Sequence, residues 1–575
     1  MYQKTRVQAD RLIRLEEYRE IKNRFKIELR KVRLESWQKY VEESMALDAW
    51  GTPYKLVTNK IRQPDIISTL IKEDGSVTMG WRDSVEFLLN GLLPSDNEIG
   101  ETDEQKVLRR IMTQYRDLRG VVFPFADEEI RNSILLQKKK KAPGPDGIKS
   151  EVLHCLVSEI SPYLTDLFNE CLAQGRIPDC FKEANMVVLS KGEDKNPQLL
   201  KSYRPICLLN TIAKVQERLL CSRLRDLRNL HGMVQNQFGF RKGKSTEDAI
   251  IFGLESVENS NCKYVIGIFI DISGAFDNLW WPYLFSCLRR MDCPRNLYLS
   301  LLDYCRNRKV QIVDFENGIG KITSKGCPQG SILGPEFWDI TLEPLLKELE
   351  QAECIKSAVA YADDLLILIE ADSRRLLEQL SREALVVINN WCITAKMKIA
   401  ANKTTYMFLK GSLKRDPIIK ICDENIGRSR HTKYLGVHLD EKLGFREHVE
   451  ITRTKSETVM MKLAGIGQRR FYLPLNILHL YHNTILSSVV DYGAGIWAHW
   501  VLDKRIKRQL RSTQRRILLR FVGAFGTTST MALLVVLGVW PLDLQIRFRG
   551  ALYWLKKQNV EKVYSIIGNR VYSRS

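Results

Sequence analysis

Residues 361–364 read Tyr361-Ala362-Asp363-Asp364, between Ala358-Val359-Ala360 on one side and Leu365-Leu366-Ile367-Leu368-Ile369 on the other. Short apolar runs bounded by polar residues read as buried strands. Two such runs with so little chain between them make a hairpin, and Asp is common at its bend. Two adjacent carboxylates at the end of a buried hairpin are costly unless something balances their charge. A second run, Tyr264-Val265-Ile266-Gly267-Ile268-Phe269-Ile270, ends abruptly in Asp271. Two buried strands that each deliver a carboxylate at one end look like a site for a divalent metal. Mg²⁺ takes a few carboxylate oxygens and keeps the rest of its shell for water and phosphate. Two such ions can clamp the attacking and leaving oxygens of a phosphoryl transfer. For either run alone, an ordinary hairpin with acidic turn residues is the plain alternative; the two together argue against it.

The chain has 575 residues, too many for one compact domain, and a hydrophobic fraction of 44%, enough for large cores. Lysine and arginine number 88 against 68 acids, a net charge of +20. That excess points to a polyanionic partner, because phosphates neutralised by basic side chains release counterions and drive binding. A basic surface without a partner is the alternative. The 13 cysteines are scattered, with no Cys-x-x-Cys pair and none after Cys422, which disfavours a zinc ribbon. Such usage fits reduced, mostly buried thiols of an intracellular protein. The charged N-terminus carries no secretory pattern. The apolar run Met531 to Trp540 is too short to span a bilayer and reads as a core helix.

Residues 1 to about 60 read as a charged helix, with Leu12, Leu15, Tyr18, Ile21, Phe25 and Leu29 at helical spacing. Its alternatives are a helix docked on the next domain and a nucleic-acid arm. Lys138–Lys141 lead into Ala142-Pro143-Gly144-Pro145-Asp146-Gly147, which must be a loop and marks entry to the central domain. From about 150 to 440 helical stretches (151–174, 211–229) alternate with β-rich runs (186–189, 264–270, 308–314, 358–369, 404–409). That alternation predicts a mixed α+β domain. Beyond about 445 only helices are expected. There Lys504, Arg505, Lys507, Arg508, Arg511, Arg515, Arg516 and Arg520 crowd one helix around an apolar stripe of Ile506, Leu510 and Ile517.

Taken in order, these motifs resemble those of one family. Ser202-Tyr203-Arg204-Pro205-Ile206, Asp271, Gly326-Cys327-Pro328-Gln329-Gly330-Ser331 and Tyr361-Ala362-Asp363-Asp364 follow the pattern of the reverse transcriptases of non-LTR (LINE-like) retrotransposons. The likeness spans roughly residues 130 to 540 and is greatest to the arthropod ribosomal-DNA-inserting and jockey-like groups. It implies a right-hand polymerase, with fingers and palm at 131–440, a helical thumb at 441–575 and a charged helical extension at 1–130. It implies RNA-directed DNA synthesis on an RNA template from a DNA primer, with dNTPs as substrates. The cofactor would be Mg²⁺ as two ions, with Mn²⁺ as a substitute.

The resemblance also assigns roles. Asp271 and Asp363 would hold both metals with Asp364 beside them, and three ionised carboxylates this close raise one another's proton affinity until cations bind. Phe276 would stand against the sugar of the incoming nucleotide and exclude a 2′ hydroxyl. Gln329 and Gly330 would back the nucleotide and template base. Lys191 and Arg204 would grip the triphosphate, as a point charge and a fork respectively, with Arg241 a weaker candidate and Lys195 an alternative to Lys191. Lys403 matches a lysine near the leaving group, a candidate general acid. Tyr434-Leu435-Gly436-Val437 matches the hairpin that supports the primer end. Arg508, Arg511 and Arg515 would track the duplex backbone. A catalytically silent nucleic-acid-binding relic and a telomerase-like host polymerase are the rival readings.

Departures from the family pattern are also legible. Too little chain precedes the polymerase motifs for the family's usual endonuclease, and residues 1–150 contain no histidine. A separate endonuclease is therefore an expected partner, a membrane is not, and action in the nucleus is expected, with the cytoplasm as the alternative.

Overall fold

The computed structural model describes residues 8–58, 69–192, 195–314, 317–421, 423–466 and 474–568. Leu12's side chain, Glu193, Asp194 and Cys422 lie outside what it describes. The chain forms two compact units: Asp65–Leu435, and Met1–Pro64 together with Gly436–Ser575.

The first unit is mixed α+β. Its strands are β1 (Glu183–Ser190), β2 (Tyr203–Leu209), β3 (Tyr264–Asp271), β4 (Lys309–Asp314), β5 (Asn317–Ile322), β6 (Ser357–Tyr361), β7 (Asp364–Ala371), β8 (Thr405–Lys410), β9 (Lys420–Ile421), β10 (Glu424–Asn425), β11 (Gly427–Arg428) and β12 (His431–Tyr434). Nine of them form a five-stranded sheet in the order β11-β8-β3-β7-β6 and a four-stranded sheet in the order β2-β1-β4-β5, while β9 pairs with β10. In the five-stranded sheet β3 is central, antiparallel to both β7 and β8. Its run of buried apolar residues follows from that position, since helices cover one face and both neighbours are strands. In the four-stranded sheet β2 is an edge strand and contains Pro205, which cannot donate to a ladder and is tolerated where one side is unpaired. The helix Gly80–Leu92 lays Val85, Leu88, Leu89 and Leu92 on this sheet, against Ala184, Met186, Leu209 and Val310. The larger core joins Ile266, Ile268 and Ile270 of β3 to the helices Thr211–Leu230, Trp281–Arg290, Arg295–Cys305 and Leu333–Gln351.

Beneath that core lies a buried charge cluster. Arg228, on the last turn of Thr211–Leu230, donates from Nη1 to Glu336 Oε2 at 2.7 Å and Asp339 Oδ2 at 3.3 Å, with Glu343 Oε2 at 3.6 Å from its Nε. The three acids line one face of Leu333–Gln351. Burial pushes the Asp339 carboxyl up to about 7, opposed by Arg228.

The second unit is helical in its C-terminal part, as expected beyond residue 445. Its N-terminal helix, Gln8–Leu47, docks through its final turns: Val41 and Met45 are buried, and Trp37 Nε1 donates to the Ile466 carbonyl at 3.0 Å. Trp50, Tyr54 and Tyr481 pack ring to ring, and the Tyr481 hydroxyl donates to the Ala49 carbonyl at 2.6 Å.

The units therefore divide the chain differently from boundaries at 130 and 440. Residues up to 64 go with the C-terminal helices, whereas Gly80–Leu92 goes with the four-stranded sheet it covers and Asp103–Thr113 with the larger core, where its Leu108 is buried. The segment Met531–Trp540 is likewise not a wholly buried helix. Leu533, Leu534 and Leu537 face inward, but Met531, Val535, Val536 and Trp540 face solvent. Among the described residues no single helix is long and apolar enough to cross a membrane; Thr530–Leu537 with Leu542–Lys556, bent by 57°, passes by length and composition only as a pair.

His448 is buried against Trp497, ring centroids 5.4 Å apart, and against His438 at 6.1 Å. Burial, then His438, lowers it from 6.5 to about 4. Between these values the unfolded chain binds a proton that the folded one refuses, so stability must fall as the pH drops through this window. The full loss at the acid end is about 3 kcal/mol, from ~1.4 kcal/mol per unit. Urea unfolding of this unit at a series of pH values should show that slope in the wild type and lose most of it in His448→Gln.

Candidate active site

The end of the five-stranded sheet is built by register. Asp271, the last residue of β3, is the cross-strand partner of Asp364, the first residue of β7, and Tyr361 is the partner of Asp364 on the other side. Ala362 and Asp363 form the two-residue turn between β6 and β7. Ala362 adopts φ +56°, a left-handed conformation unusual for a residue with a side chain. The surroundings hold it there. Trp338 Nε1 donates to the Ala362 carbonyl at 2.8 Å, and Phe238 N donates to the Ala360 carbonyl at 2.8 Å. A Cβ on Gly239 would stand 2.2 Å from Ala362 N, so glycine is what lets the neighbouring chain lie against the turn.

The loop 398–404 closes the other side of Asp271. Ala400 N donates to the Asp271 carbonyl at 2.9 Å, Ser273 N to the Lys398 carbonyl at 2.8 Å, and Lys403 Nζ to Asp271 Oδ2 at 3.1 Å. Partial burial raises the Asp363 carboxyl; Asp271 adds to the rise, while Arg204 and Lys403 oppose it. Asp364 reaches solvent at the end of β7, but protein on its other sides keeps much water away. That dehydration, then Asp363 and Asp271, raises it to about 6. Below Asp364, Tyr434 is buried edge-on to Phe269 at 5.3 Å, its hydroxyl without a partner among the described residues.

The cations come from the four-stranded sheet. Arg204 is exposed on β2, opposite Leu189, and Lys191 follows the end of β1. Lys191 Nζ donates to the Lys201 carbonyl at 2.9 Å. Partial burial, then Arg204, Lys403 and Lys195 nearby, lowers its ammonium, and Asp277 opposes that. Lys195 thus belongs to the same positive field.

Gln329 and Gly330 are pinned from both sides. Cys207 N donates to the Gln329 carbonyl at 2.8 Å, and a Cβ on Gly330, at φ +123°, would meet the Cys207 carbonyl at 2.6 Å. Glu217 accepts from Ile332 N at 2.7 Å and from the Tyr304 hydroxyl at 2.7 Å, holding the loop's far end. Gln329 Nε2 donates to both oxygens of Asp277, at 2.9 and 3.1 Å. Phe276 is half-buried, its ring 5.9 Å from both Phe240 and Trp338.

The fold therefore gathers Asp271, Asp363, Asp364, Lys403, Lys191 and Arg204 into one electrostatic neighbourhood, with Gln329 and Phe276 joined to it through Asp277 and the turn after β3. Arg241 stands apart. It is half-buried, donates to the Val234 carbonyl, and feels Arg228, Asp339, Glu343 and Glu336 rather than the site's carboxylates. Sequence reading passed over Asp277, Glu217, Trp338 and Gly239. Asp277 lies next to Phe276 and could have been flagged as an acid in an apolar stretch; the other three gain their roles only from distant chain.

Among the described residues no three His, Cys, Asp or Glu side chains stand together as a ready-made metal cage. The donor chemistry still fits a hard divalent cation: carboxylate oxygens only, mutually repelling and open enough to solvent for water and phosphate to complete the shell.

Comparison with known proteins agrees with this geometry. Residues 191–439 match the model of the family described as reverse transcriptase (RNA-dependent DNA polymerase). The chain is 31% identical to the Pol polyprotein from type-1 retrotransposable element R1 of Bradysia coprophila, over 95% of this chain and 53% of that protein. It is 30% identical to the putative 115 kDa protein in element R1DM of Drosophila melanogaster, over 92% and 49%. It is 28% identical to the RNA-directed DNA polymerase from mobile element jockey of the same fly, over 69% and 44%. The chain thus spans about half the length of the curated relatives it matches.

Proposed function

Since the chain belongs to the reverse transcriptases of non-LTR retrotransposable elements, we propose that it extends the 3′ hydroxyl of a DNA primer with dNTPs on an RNA template. The observation that carries this reading is the register that sets Asp271 opposite Asp364, one residue from Asp363, with Lys403, Lys191 and Arg204 around them. In this reading the five-stranded sheet is the palm, the four-stranded sheet the fingers, and the helices after Gly436 the thumb. Asp271 and Asp363, with Asp364 beside them, would hold Mg²⁺ as two ions, or Mn²⁺ in its place. When bound, such ions polarise a hydroxyl and take up the charge of departing pyrophosphate.

The chain's own residues do the rest. Lys191 and Arg204 bind the triphosphate, Arg204 as a fork. Lys403, ion-paired with Asp271, would give its Nζ proton to the leaving group. Asp277 takes both hydrogen bonds from the Gln329 amide and so fixes its orientation toward the paired bases. Action in the nucleus follows from the template and target of such elements. A nucleic-acid-binding protein without activity is the rival reading. Primer extension on poly(rA)/oligo(dT) with Mg²⁺ separates them: synthesis that requires dTTP supports the polymerase, and template binding without synthesis supports the rival.

Phe276→Val should raise ribonucleotide incorporation by about tenfold or more relative to dNTPs, because bulk rather than hydrogen bonding would exclude the 2′ hydroxyl. The ratio of the two incorporation efficiencies is the measurement; an unchanged ratio would leave the ring only its packing on Phe240 and Trp338.

The basic helix Lys504–Val522 needs sorting before it is read as a phosphate surface. Arg511 makes a two-pronged pair with buried Asp543, both contacts 2.9 Å, and Arg515 donates to the Thr528 and Gly526 carbonyls at 2.6 Å. Arg508 is exposed with no such partner among the described residues. Arg508→Ala should therefore reduce the salt dependence of primer-template binding by ~0.7–0.9 in log–log slope. Arg511→Ala should lower the melting temperature instead, because it leaves the buried Asp543 carboxylate only the longer contact with Lys507, at 3.7 Å. Equal slopes for wild type and Arg508→Ala would mean the helix only faces solvent.

A further inference from the structure

The N-terminal helix carries a feature that docking on its own unit leaves unused. Along Gln8–Leu47 the docked face is made by Trp37, Val41 and Met45. Nearer the N-terminus another face exposes Tyr18 (55%), Ile21 (66%), Phe25 (64%), Leu29 (37%) and Val32 (54%). At about 100° per residue these five fall on one stripe, roughly opposite the docked face; exposed Ile27 falls outside it. From Glu16 to Arg33 the helix has no buried residue, a stretch of about 27 Å at 1.5 Å per residue. A helix of this length is marginal in water unless an apolar face is packed.

The stripe repeats. Glu17-Tyr18 and Ile21-Lys22 recur eleven residues on as Glu28-Leu29 and Val32-Arg33, and the repeat ends where Phe25 would be followed by Ser36. An eleven-residue period keeps an apolar seam aligned with only a slight right-handed supercoil. The charges beside the seam are sorted by sign. Next to the seam, Glu17, Glu28 and Glu35 follow one edge and Lys22 and Arg33 the other; Arg24 and Lys26 lie one step further out, behind the acidic and basic edges respectively. Glu28 also reaches Lys31 within the helix, at 3.9 Å between exposed atoms, a contact weak enough to exchange.

This arrangement selects a partner. In a parallel pair related by a two-fold axis along the helices, the acidic edge of one copy lies beside the basic edge of the other. In an antiparallel pair, acid would meet acid and base would meet base. We propose that residues 17–36 pair with the same segment of a second copy of this chain, in parallel and in register, so that the protein is a dimer through its N-terminal helix. Apolar seam residues supply the association, and the sorted edges set its direction, as edge charges do in coiled coils generally.

Light scattering of the whole chain at micromolar concentration should give twice 66.5 kDa. Ile21→Asp with Phe25→Asp should halve that mass at an unchanged melting temperature, because neither side chain packs on its own unit. Glu17→Lys with Glu28→Lys should also give the single-chain mass, and adding Lys22→Glu with Arg33→Glu should restore the dimer. Direction is read by cross-linking: Phe25→Cys should form a disulfide-linked dimer at least about tenfold faster than Lys31→Cys, over the wild-type background from Cys155 and Cys180. A single-chain mass for the wild type would overturn the proposal. So would a double mass that survives Ile21→Asp with Phe25→Asp, or equal cross-linking at the two positions. A monomer whose primer-template affinity falls with the seam substitutions would instead assign the helix to nucleic acid.

Discussion

Asp363→Asn is expected to slow primer extension by at least about a thousandfold, which is ~4 kcal/mol of barrier at ~1.4 kcal/mol per factor of ten. The change is nearly isosteric and lies in a two-residue turn whose shape depends on Trp338, Phe238 and Gly239 rather than on the carboxylate. The fold should therefore survive. Losing one of three mutually repelling carboxylates relieves repulsion, so the melting temperature should hold or rise slightly. Primer-template binding at fixed salt should also change little. The diagnostic result is this separation: synthesis lost, stability and binding kept. A mutant that extends primers at the wild-type rate would remove Asp363 from the reaction.

The largest stability effect should come from Arg228→Ala. The guanidinium is 3% exposed and is the shared partner of Glu336 and Asp339, with Glu343 beside it. Its removal leaves three acids buried between the helices Thr211–Leu230 and Leu333–Gln351, with Arg225 reaching only Glu336 and Lys347 only Glu343. Breaking a buried charge cluster on one side costs about 3–5 kcal/mol. Urea titration of the unit Asp65–Leu435 within the whole chain should show a loss of that size, partly recovered at low pH as the stranded acids take up protons. Replacing the cluster as a whole, Arg228→Met with Glu336→Gln, Asp339→Leu and Glu343→Leu, should cost much less, because apolar or neutral groups of similar volume leave no buried charge. If Arg228→Ala were neutral, the acids would have to be reaching water.

How much of this was legible in the chain alone depends on how local the cause is. Period and polarity placed the strands that end in Asp271 and that flank Asp363 and Asp364, because a buried strand must be apolar and a carboxylate at its end is conspicuous. They also gave the α+β class and the helical C-terminal part. Motif order supplied the family, and the comparisons bear it out. The register that sets Asp271 against Asp364 was not legible, because pairing between strands about 90 residues apart is decided by the packing of both faces. The same holds for the clasp of Asp277 on Gln329, the support of Ala362 by Trp338 and Gly239, and the turning of Arg241 toward Arg228, Asp339 and Glu343. Each depends on residues distant in sequence. The basic helix shows the limit best. Arg508, Arg511 and Arg515 look alike in sequence, and only the arrival of Asp543 and of the Thr528 and Gly526 carbonyls commits two of them to the fold. Sequence fixes which side chains an element offers to each face; tertiary packing decides which charges are satisfied within the fold and which stay free for a substrate.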